Sequence, residues 1–221
     1  MIRDVNLGGI DVSVVLMTLA VLFFSLSLHE SAHAWTADWL GDPTARHQGR
    51  VTLNPVRHID PMGTIVFPLL GLYLGGFIFG WARPVPVNTA RLKNPRKDHL
   101  LIAAAGPASN IVMAVMFGIG VKMITSAMDP LALRDHGWIY PLFLMCETGL
   151  VLNVILAVFN LFPIPPLDGS WILAGVLPSN LATVLDRIRP YSLILLVVLL
   201  MSGVFETVLR PILLWVRRLS L

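Results

Sequence analysis

The sequence predicts an all-α polytopic membrane protein with about four to five transmembrane helices. Of its 221 residues, 56% are hydrophobic and only 13% are charged, and the mean hydropathy is +0.76. A soluble domain of this length carries more charge. In addition, apolar runs near the ~20 residues that cross a bilayer recur along the chain. A re-entrant element and short β-hairpin or strand pieces on the cytoplasmic side are expected beside the helices.

Four apolar runs are long enough to span the membrane: residues 11 to 37, 100 to 127, 139 to 162 and 190 to 209. A fifth run at 64 to 81 is short and contains Pro68 and four glycines, which suits a re-entrant or interfacial element. The polar segment 41 to 60 includes strand-like pieces such as RVTLN at 50 to 54. The chain is interpreted as one membrane-embedded domain, 1 to 221, with a core at about 11 to 176 and a C-terminal span at about 190 to 221.

The charge distribution predicts the orientation of these spans. Ten of the 16 Lys and Arg residues lie in the loops 41 to 98 and 163 to 189, which are therefore expected to be cytoplasmic. The basic residues do not form a stripe with aromatic residues, so nucleic acid is not an expected partner. The apolar spans make the lipid bilayer an expected partner. Cys146 is the only cysteine, which excludes an intrachain disulfide and a cysteine zinc cluster.

The most informative motif is H-E-x-x-H, formed by His29, Glu30 and His33 inside the first apolar run. On a helix, residues i and i+4 share one face, so the two imidazoles can converge on one ion such as zinc. Glu30 is turned by about 60° from His33, so its carboxylate can reach a water held by that ion. The alternative is a pair of buried histidines hydrogen-bonded to Glu30. Because unpaired ionisable groups are costly in hydrocarbon, the functional interpretation is favoured.

The expected third ligand is Asp168, in the segment NLFPIPPLDGSW. Its prolines end the preceding helix and leave Asp168 and Gly169 at a turn in an apolar region. The alternative is that Asp168 merely caps a short helix starting at Gly169. If residues 64 to 81 do not cross, then His29, His33, Asn110 and Asp168 lie near the same membrane face. A full crossing would place Asp168 on the opposite side.

Together these residues resemble the site-2 proteases, which are intramembrane zinc metalloproteases. That family has H-E-x-x-H on an early transmembrane helix and L-D-G on a later one, matched here by Leu167-Asp168-Gly169. The stretches NPVRHIDPMG at 54 to 63, GWARPVPVN at 80 to 88 and AAGPASN at 104 to 110 look like its compact branch, which lacks a PDZ domain. The resemblance covers most of residues 22 to 176.

The resemblance implies a zinc metalloendopeptidase that hydrolyses peptide bonds in or near transmembrane segments, in regulated intramembrane proteolysis or membrane-protein turnover. It implies one Zn²⁺ per chain, bound by His29, His33 and Asp168, with Glu30 as the catalytic base. It also implies that Asn110 helps to stabilise the oxyanion, for which the alternative role is helix packing. The expected substrate is a transmembrane protein or peptide. The expected location is a prokaryotic cytoplasmic membrane, with the active site near the cytoplasmic face.

Two other functional classes remain open. A metal transporter would spread its ligands along a path and usually has repeated halves, and a catalytically silent scaffold would typically lack Glu30. Among the remaining polar residues, His58 and Asp60 could form a second metal pair, although a loop-ordering turn is favoured. The other three histidines are predicted to lie on the surface: His47, His99 and His136.

Overall fold

The computed structural model describes residues 6–7, 10–66, 69–70, 73, 82–128, 133 and 137–220. These residues form a two-stranded antiparallel ladder, β1 (Asn6–Leu7) and β2 (Ile10–Asp11), followed by helices. The α-helices are α1 (Val12–Trp39), α2 (Thr44–His47), α3 (Pro95–Ala127), α4 (Ile139–Asn160), α5 (Asp168–Val176), α6 (Ser179–Ile188), α7 (Ser192–Met201) and α8 (Val204–Ser220).

Three of these helices are long and apolar enough to cross a membrane. They are α1, α3 and α4, with 28, 33 and 22 residues, and they coincide with the first three predicted spans. At 1.5 Å per residue each is longer than the ~30 Å hydrocarbon thickness. The predicted helical membrane architecture is therefore confirmed for the first three of the four expected spans.

The fourth predicted span, 190 to 209, is not one straight helix. Helix α7 ends at Met201 and α8 begins at Val204. The helical stretch Ser179–Met201 and the helix Val204–Leu219 are bent by 58° relative to each other. Gly203 occupies the left-handed region with φ of 72°, a conformation that ends helices and that glycine adopts without strain. In the described part of the chain there are thus three candidate spans, or four if the bent pair crosses as one, so the expected four to five is met only at its lower limit.

The strand expected at residues 50 to 54 is not formed. Those residues are irregular, and Asn54 instead accepts a hydrogen bond from the amide of Val56 at 3.1 Å, which caps the short turn Pro55–Arg57. The described strands lie at the N-terminus, ahead of α1. Of the predicted re-entrant element, only residues 64–66, 69–70 and 73 are described, and Pro61–Val66 form a π-helical turn.

Helix α3 is the centre of the bundle, because it packs against α1, α4 and α5. Close to its N-terminus, a small buried cluster joins the end of α1 to the start of α3 through Ala37, Leu92 and Ile102. The chain between α1 and α3 therefore leaves and returns at the same end of the bundle. This arrangement is the one that the predicted three-residue metal site requires.

Candidate metal centre

The two histidines of the H-E-x-x-H motif lie one turn apart on the buried face of α1. His29 is 4% exposed and His33 is 7% exposed, and both face the helices α3 and α5. Their Nε2 atoms are 3.1 Å apart, and their rings meet edge to face with centroids separated by 4.6 Å. The i, i+4 spacing has thus brought two imidazole nitrogens to one point, as the sequence predicts.

Asp168 reaches the same point from the first turn of α5. Its Oδ2 atom lies 3.2 Å from Nε2 of His29 and 3.3 Å from Nε2 of His33. Helix α5 begins at Asp168 itself and has no side-chain cap, so the capping role considered for this residue is not observed. A Cβ atom at Gly169 would lie 2.3 Å from the carbonyl oxygen of Leu161. Only glycine therefore fits after Asp168 where the chain folds back onto the end of α4.

The three ligand atoms match the spacing that a zinc ion needs. Their separations of 3.1, 3.2 and 3.3 Å agree with the edge of a tetrahedron of ligands bound at 2.0–2.1 Å, which is about 3.3 Å. Oδ2 of Asp168 is buried and has no hydrogen-bond partner. Two lone-pair nitrogens and a carboxylate oxygen held this close favour a cation between them.

The outward nitrogens of both imidazoles are already engaged. Nδ1 of His33 lies 2.6 Å from the carbonyl oxygen of Ile102, and Nδ1 of His29 lies 2.6 Å from Oδ1 of Asn110. A carbonyl oxygen accepts a hydrogen bond and cannot donate one, so Nδ1 of His33 carries the proton. Its Nε2 lone pair is then free for a metal, an arrangement that second-shell partners commonly enforce in metal sites.

Gly106, in the AAGPASN stretch of α3, allows that helix to approach the two imidazoles. A Cβ atom at this position would lie 2.3 Å from Nε2 of His33 and 2.6 Å from Cε1 of His29. Real Cβ atoms do not make contacts this short, so the backbone of α3 closes one side of the site. The presence of glycine at position 106 is therefore explained by the close approach of α3 to the two imidazoles, which leaves no room for a side chain.

Glu30 and the three ligands line one cavity of about 470 Å³. Oε2 of Glu30 accepts a hydrogen bond of 3.2 Å from the backbone amide of Val85. Most of the other walls are apolar and include Leu26, Ile102, Leu156, Phe159 and Leu196. The cavity thus combines a carboxylate, a three-ligand cluster and a surface suited to apolar side chains.

The irregular segment 82–88, which contains Val85, is fixed to the protein through its backbone amides. Arg83 N donates to the carbonyl oxygen of His58 at 2.9 Å, and Asn88 N donates to Oδ2 of Asp42 at 2.6 Å. Burial opposes ionisation of Asp42, but hydrogen bonds from Thr44 and from the Asn88 amide outweigh it and hold the pKa of Asp42 below its usual range. The segment is anchored at both ends and at Glu30.

Asn110 makes different contacts from those expected of an oxyanion helper. It is fully buried, its Oδ1 faces His29, and its Nδ2 donates to Oδ1 of Asn153 at 2.9 Å. The amide group therefore has partners on both sides and does not point a free donor into the cavity. The sequence predicts Asn110 at the site, but it does not identify Asn153 on α4 as the partner of Asn110.

Two further wall residues were also missed. His99 and Trp171 line the cavity, with ring centroids 4.1 Å apart, and the guanidinium of Arg189 lies 3.2 Å from the Trp171 ring centroid. The prediction that His99 lies on the surface is therefore wrong. Its helical spacing from Ile102 and Gly106 places all three on one face of α3, and this spacing is a signal that could have identified it.

The second metal pair considered in the loop is not formed. His58 is buried and its Nε2 lies 2.8 Å from the carbonyl oxygen of Thr52, whereas Asp60 accepts a hydrogen bond from the amide of Gly63 at 2.8 Å. Within the described residues, the group of three metal-ligand side chains that meet is His29, His33 and Asp168. His58 and Asp60 instead order the loop.

Comparison with known proteins identifies the family. The model of peptidase family M50 matches residues 17–203. The chain belongs to this family. The "Putative zinc metalloprotease YwhC" of Bacillus subtilis is 39% identical to this M50 chain over 193 residues, covering 87% of the chain and 83% of the relative.

Two mycobacterial relatives carry the printed name "Putative zinc metalloprotease Rip2". The protein from Mycolicibacterium smegmatis is 32% identical over 194 residues, which cover 86% of this M50 chain and 69% of the relative. The protein from Mycobacterium tuberculosis is 31% identical over 208 residues, which cover 94% and 75%. No solved structure is significantly similar to the chain.

Family M50 comprises the site-2 proteases, so the resemblance seen in the sequence motifs is confirmed. Its apolar helices and its family make the chain an integral membrane protein. Zn²⁺ is the cofactor that the relatives' names imply, and the ligand triangle of His29, His33 and Asp168 fits that ion.

Proposed function

We propose that this M50 protein is an intramembrane endopeptidase that hydrolyses peptide bonds in or near the transmembrane segments of other membrane proteins. The observation that carries the proposal is the triangle of ligand atoms from α1 and α5, with sides of 3.1–3.3 Å, in the same cavity as Glu30. In this assignment His29, His33 and Asp168 bind zinc and Glu30 is the catalytic base.

The chemistry follows from the positions of these residues. A zinc ion held by the triangle would polarise the scissile carbonyl and lower the pKa of water at the site to about 7. Glu30 takes the proton from the attacking water and later passes it to the leaving amine. The Val85 amide orients the Glu30 carboxylate through Oε2, which leaves the second carboxylate oxygen for the water. Asn110 acts behind His29 and not on the oxyanion.

The substrate class follows from the walls of the cavity. A cavity of about 470 Å³ with mainly apolar lining accepts the side chains of a transmembrane segment. A helical segment hides its peptide groups in i to i−4 hydrogen bonds, so it must unwind before the carbonyl reaches the metal.

The proposal includes an orientation in which the site lies near the cytoplasmic face. The loops that flank it are the basic ones, 41 to 98 and 163 to 189, with ten of the 16 Lys and Arg residues. A tag inserted between residues 88 and 94 should be reached by membrane-impermeant reagents only from the cytoplasmic side. Labelling from the opposite side would refute this orientation.

The proposed function is tested by replacing Glu30 with Gln, which keeps the shape and removes the base. Purified Glu30→Gln protein should retain about one zinc per chain by mass spectrometry, since Glu30 is not a ligand. Cleavage of a transmembrane reporter should fall by at least 10²-fold, the low end for losing a positioned general base. Full activity of Glu30→Gln would contradict the proposal. The exposed Glu206 provides a matched control, because Glu206→Gln should change neither quantity.

A further inference from the structure

A row of hydrogen bonds between buried side chains of α1, α3 and α4 ends on His29. Ser25, Asn110 and Asn153 are each 0% exposed. Nδ2 of Asn153 donates to the hydroxyl oxygen of Ser25 at 2.9 Å and to the carbonyl oxygen of Gly149 at 2.8 Å. Nδ2 of Asn110 donates to Oδ1 of Asn153 at 2.9 Å, and Oδ1 of Asn110 lies 2.6 Å from Nδ1 of His29.

The direction of this row is fixed at its far end. The carbonyl oxygen of Gly149 can only accept a hydrogen bond, so the NH₂ group of Asn153 must face it. Oδ1 of Asn153 then faces Asn110 and requires a donor, which turns the NH₂ group of Asn110 toward α4. Oδ1 of Asn110 is therefore left facing His29, and Nδ1 of His29 must carry the proton.

The opposite orientation of the Asn110 amide would prevent His29 from binding zinc. If its amide were flipped, an NH₂ group would face Nδ1 of His29, the proton would move to Nε2, and no lone pair would remain for zinc. With Asn153 in place the flip is unfavourable, because it sets two buried acceptor oxygens against each other. The tautomer of His33 does not depend on the orientation of an amide side chain, because its Nδ1 partner is the backbone carbonyl of Ile102, which cannot flip.

We propose that Asn153 is a positioning residue for the metal centre, which acts through Asn110 to hold His29 in the Nδ1–H tautomer that leaves Nε2 free for zinc. The inference rests on the proposed function only in taking His29 as a zinc ligand. Loss of an outer partner of a metal-bound histidine typically weakens metal binding by about 10–100-fold. Asn153 should have an effect of this size although it contacts neither histidine in the described structure.

The test compares Asn153→Leu, which removes the oxygen that orients Asn110, with Asn153→Asp, which keeps an oxygen at that place. The tautomer of His29 is read in metal-free protein labelled with ¹⁵N-histidine, by two-bond N–H correlation NMR at a pH at which the spectra show both imidazoles to be neutral. Zinc affinity is measured separately by competition with a chelator. Thr125→Val is the control, because it removes a helix hydrogen bond at a distant position of α3.

We expect wild type, Asn153→Asp and Thr125→Val to show the Nδ1–H form of His29. In Asn153→Leu the Nε2–H form should appear and zinc should bind about 10–100-fold more weakly. His33 should remain Nδ1–H in every protein and serves as the internal reference. Because a merely structural defect would not move one histidine tautomer and spare the other, this readout separates positioning from general destabilisation.

Two results would overturn the inference. The first is an Nε2–H tautomer of His29 in the wild-type protein, which needs no variant to fold. The second is Asn153→Leu with an unchanged tautomer and unchanged zinc affinity. Either result would leave the proposed peptidase activity intact, since that activity is tested through Glu30→Gln and a cleavage assay.

Discussion

The proposed zinc ligands His29, His33 and Asp168, called here the metal triangle, and the irregular segment 82–88 line the same cavity but are held in place in different ways. The ligands are carried by helices, both histidines are less than a tenth exposed, and their second nitrogens have buried partners. The segment has no regular secondary structure, Arg83 and Pro84 are exposed, and a few backbone amides attach it. Helix packing therefore fixes the positions of the proposed metal ligands, whereas a few backbone hydrogen bonds hold segment 82–88 beside the cavity.

The largest effect is expected where a side chain is forced into the metal triangle. Gly106→Ala places a Cβ atom 2.3 Å from Nε2 of His33, so either the imidazole or α3 must move. Overpacking of this kind costs about 1–3 kcal/mol, and we expect zinc affinity to fall by up to about 10²-fold. Chelator competition measures the loss. In Gly118→Ala the new Cβ would be 3.5 Å from Leu150, so equal loss in both variants would contradict this explanation.

A smaller effect is expected from a change in segment 82–88. Val85→Pro removes the amide that donates to Glu30 but keeps a side chain of similar size. A hydrogen bond to a charged group contributes about 1.5–3 kcal/mol, so cleavage should slow by at least about tenfold while zinc content stays unchanged. Val85→Ala keeps the amide and is the matched control. If both variants lose activity equally, the side chain matters and the hydrogen bond to Glu30 does not.

The smallest effect is expected at Asp42, which anchors segment 82–88 through the amide of Asn88. The pKa of Asp42 is lowered in the folded protein, so its contribution is complete above the unfolded value of about 3.9 and is lost as pH falls through the folded pKa. Asp42→Asn should reduce stability by about 1 kcal/mol at neutral pH, and the difference should shrink below about pH 4. Thermal unfolding in detergent measures it, with the exposed Asp186→Asn as control. A difference that grows in acid would contradict this role of Asp42.

Periodicity made the metal triangle predictable. The i, i+4 spacing of His29 and His33 needs only a helix, and the prolines before Asp168 indicated a chain reversal at the right end of a span. The requirement that Asp168 and the two histidines reach one ion also predicted that the chain between α1 and α3 leaves and returns at the same end of the bundle. These are local signals combined with one geometric constraint, and the structure agrees with both.

Other features depended on tertiary contacts that the sequence does not encode locally. The apolar run 190 to 209 hides a break at Ser202 and Gly203, because hydropathy does not register a change in helix direction. Asn110 was expected to help stabilise the oxyanion because of the family resemblance, and its bond to Asn153, 43 residues away on another helix, could not be seen in the sequence. A local signal was also missed: the segment RVTLN has strand-forming residues, but the side chain of Asn54 caps the turn that follows it, and this turn chemistry overrides the strand propensity.

The most direct test of the metal centre is X-ray absorption at the zinc edge, on purified, zinc-loaded protein. We expect one zinc per chain with two imidazoles and a carboxylate oxygen, at about 2.0–2.1 Å. The imidazole signal should drop in His33→Ala. Fewer than two imidazoles in the wild type, or a sulfur ligand at about 2.3 Å from Cys146, would show that zinc is not bound by His29, His33 and Asp168.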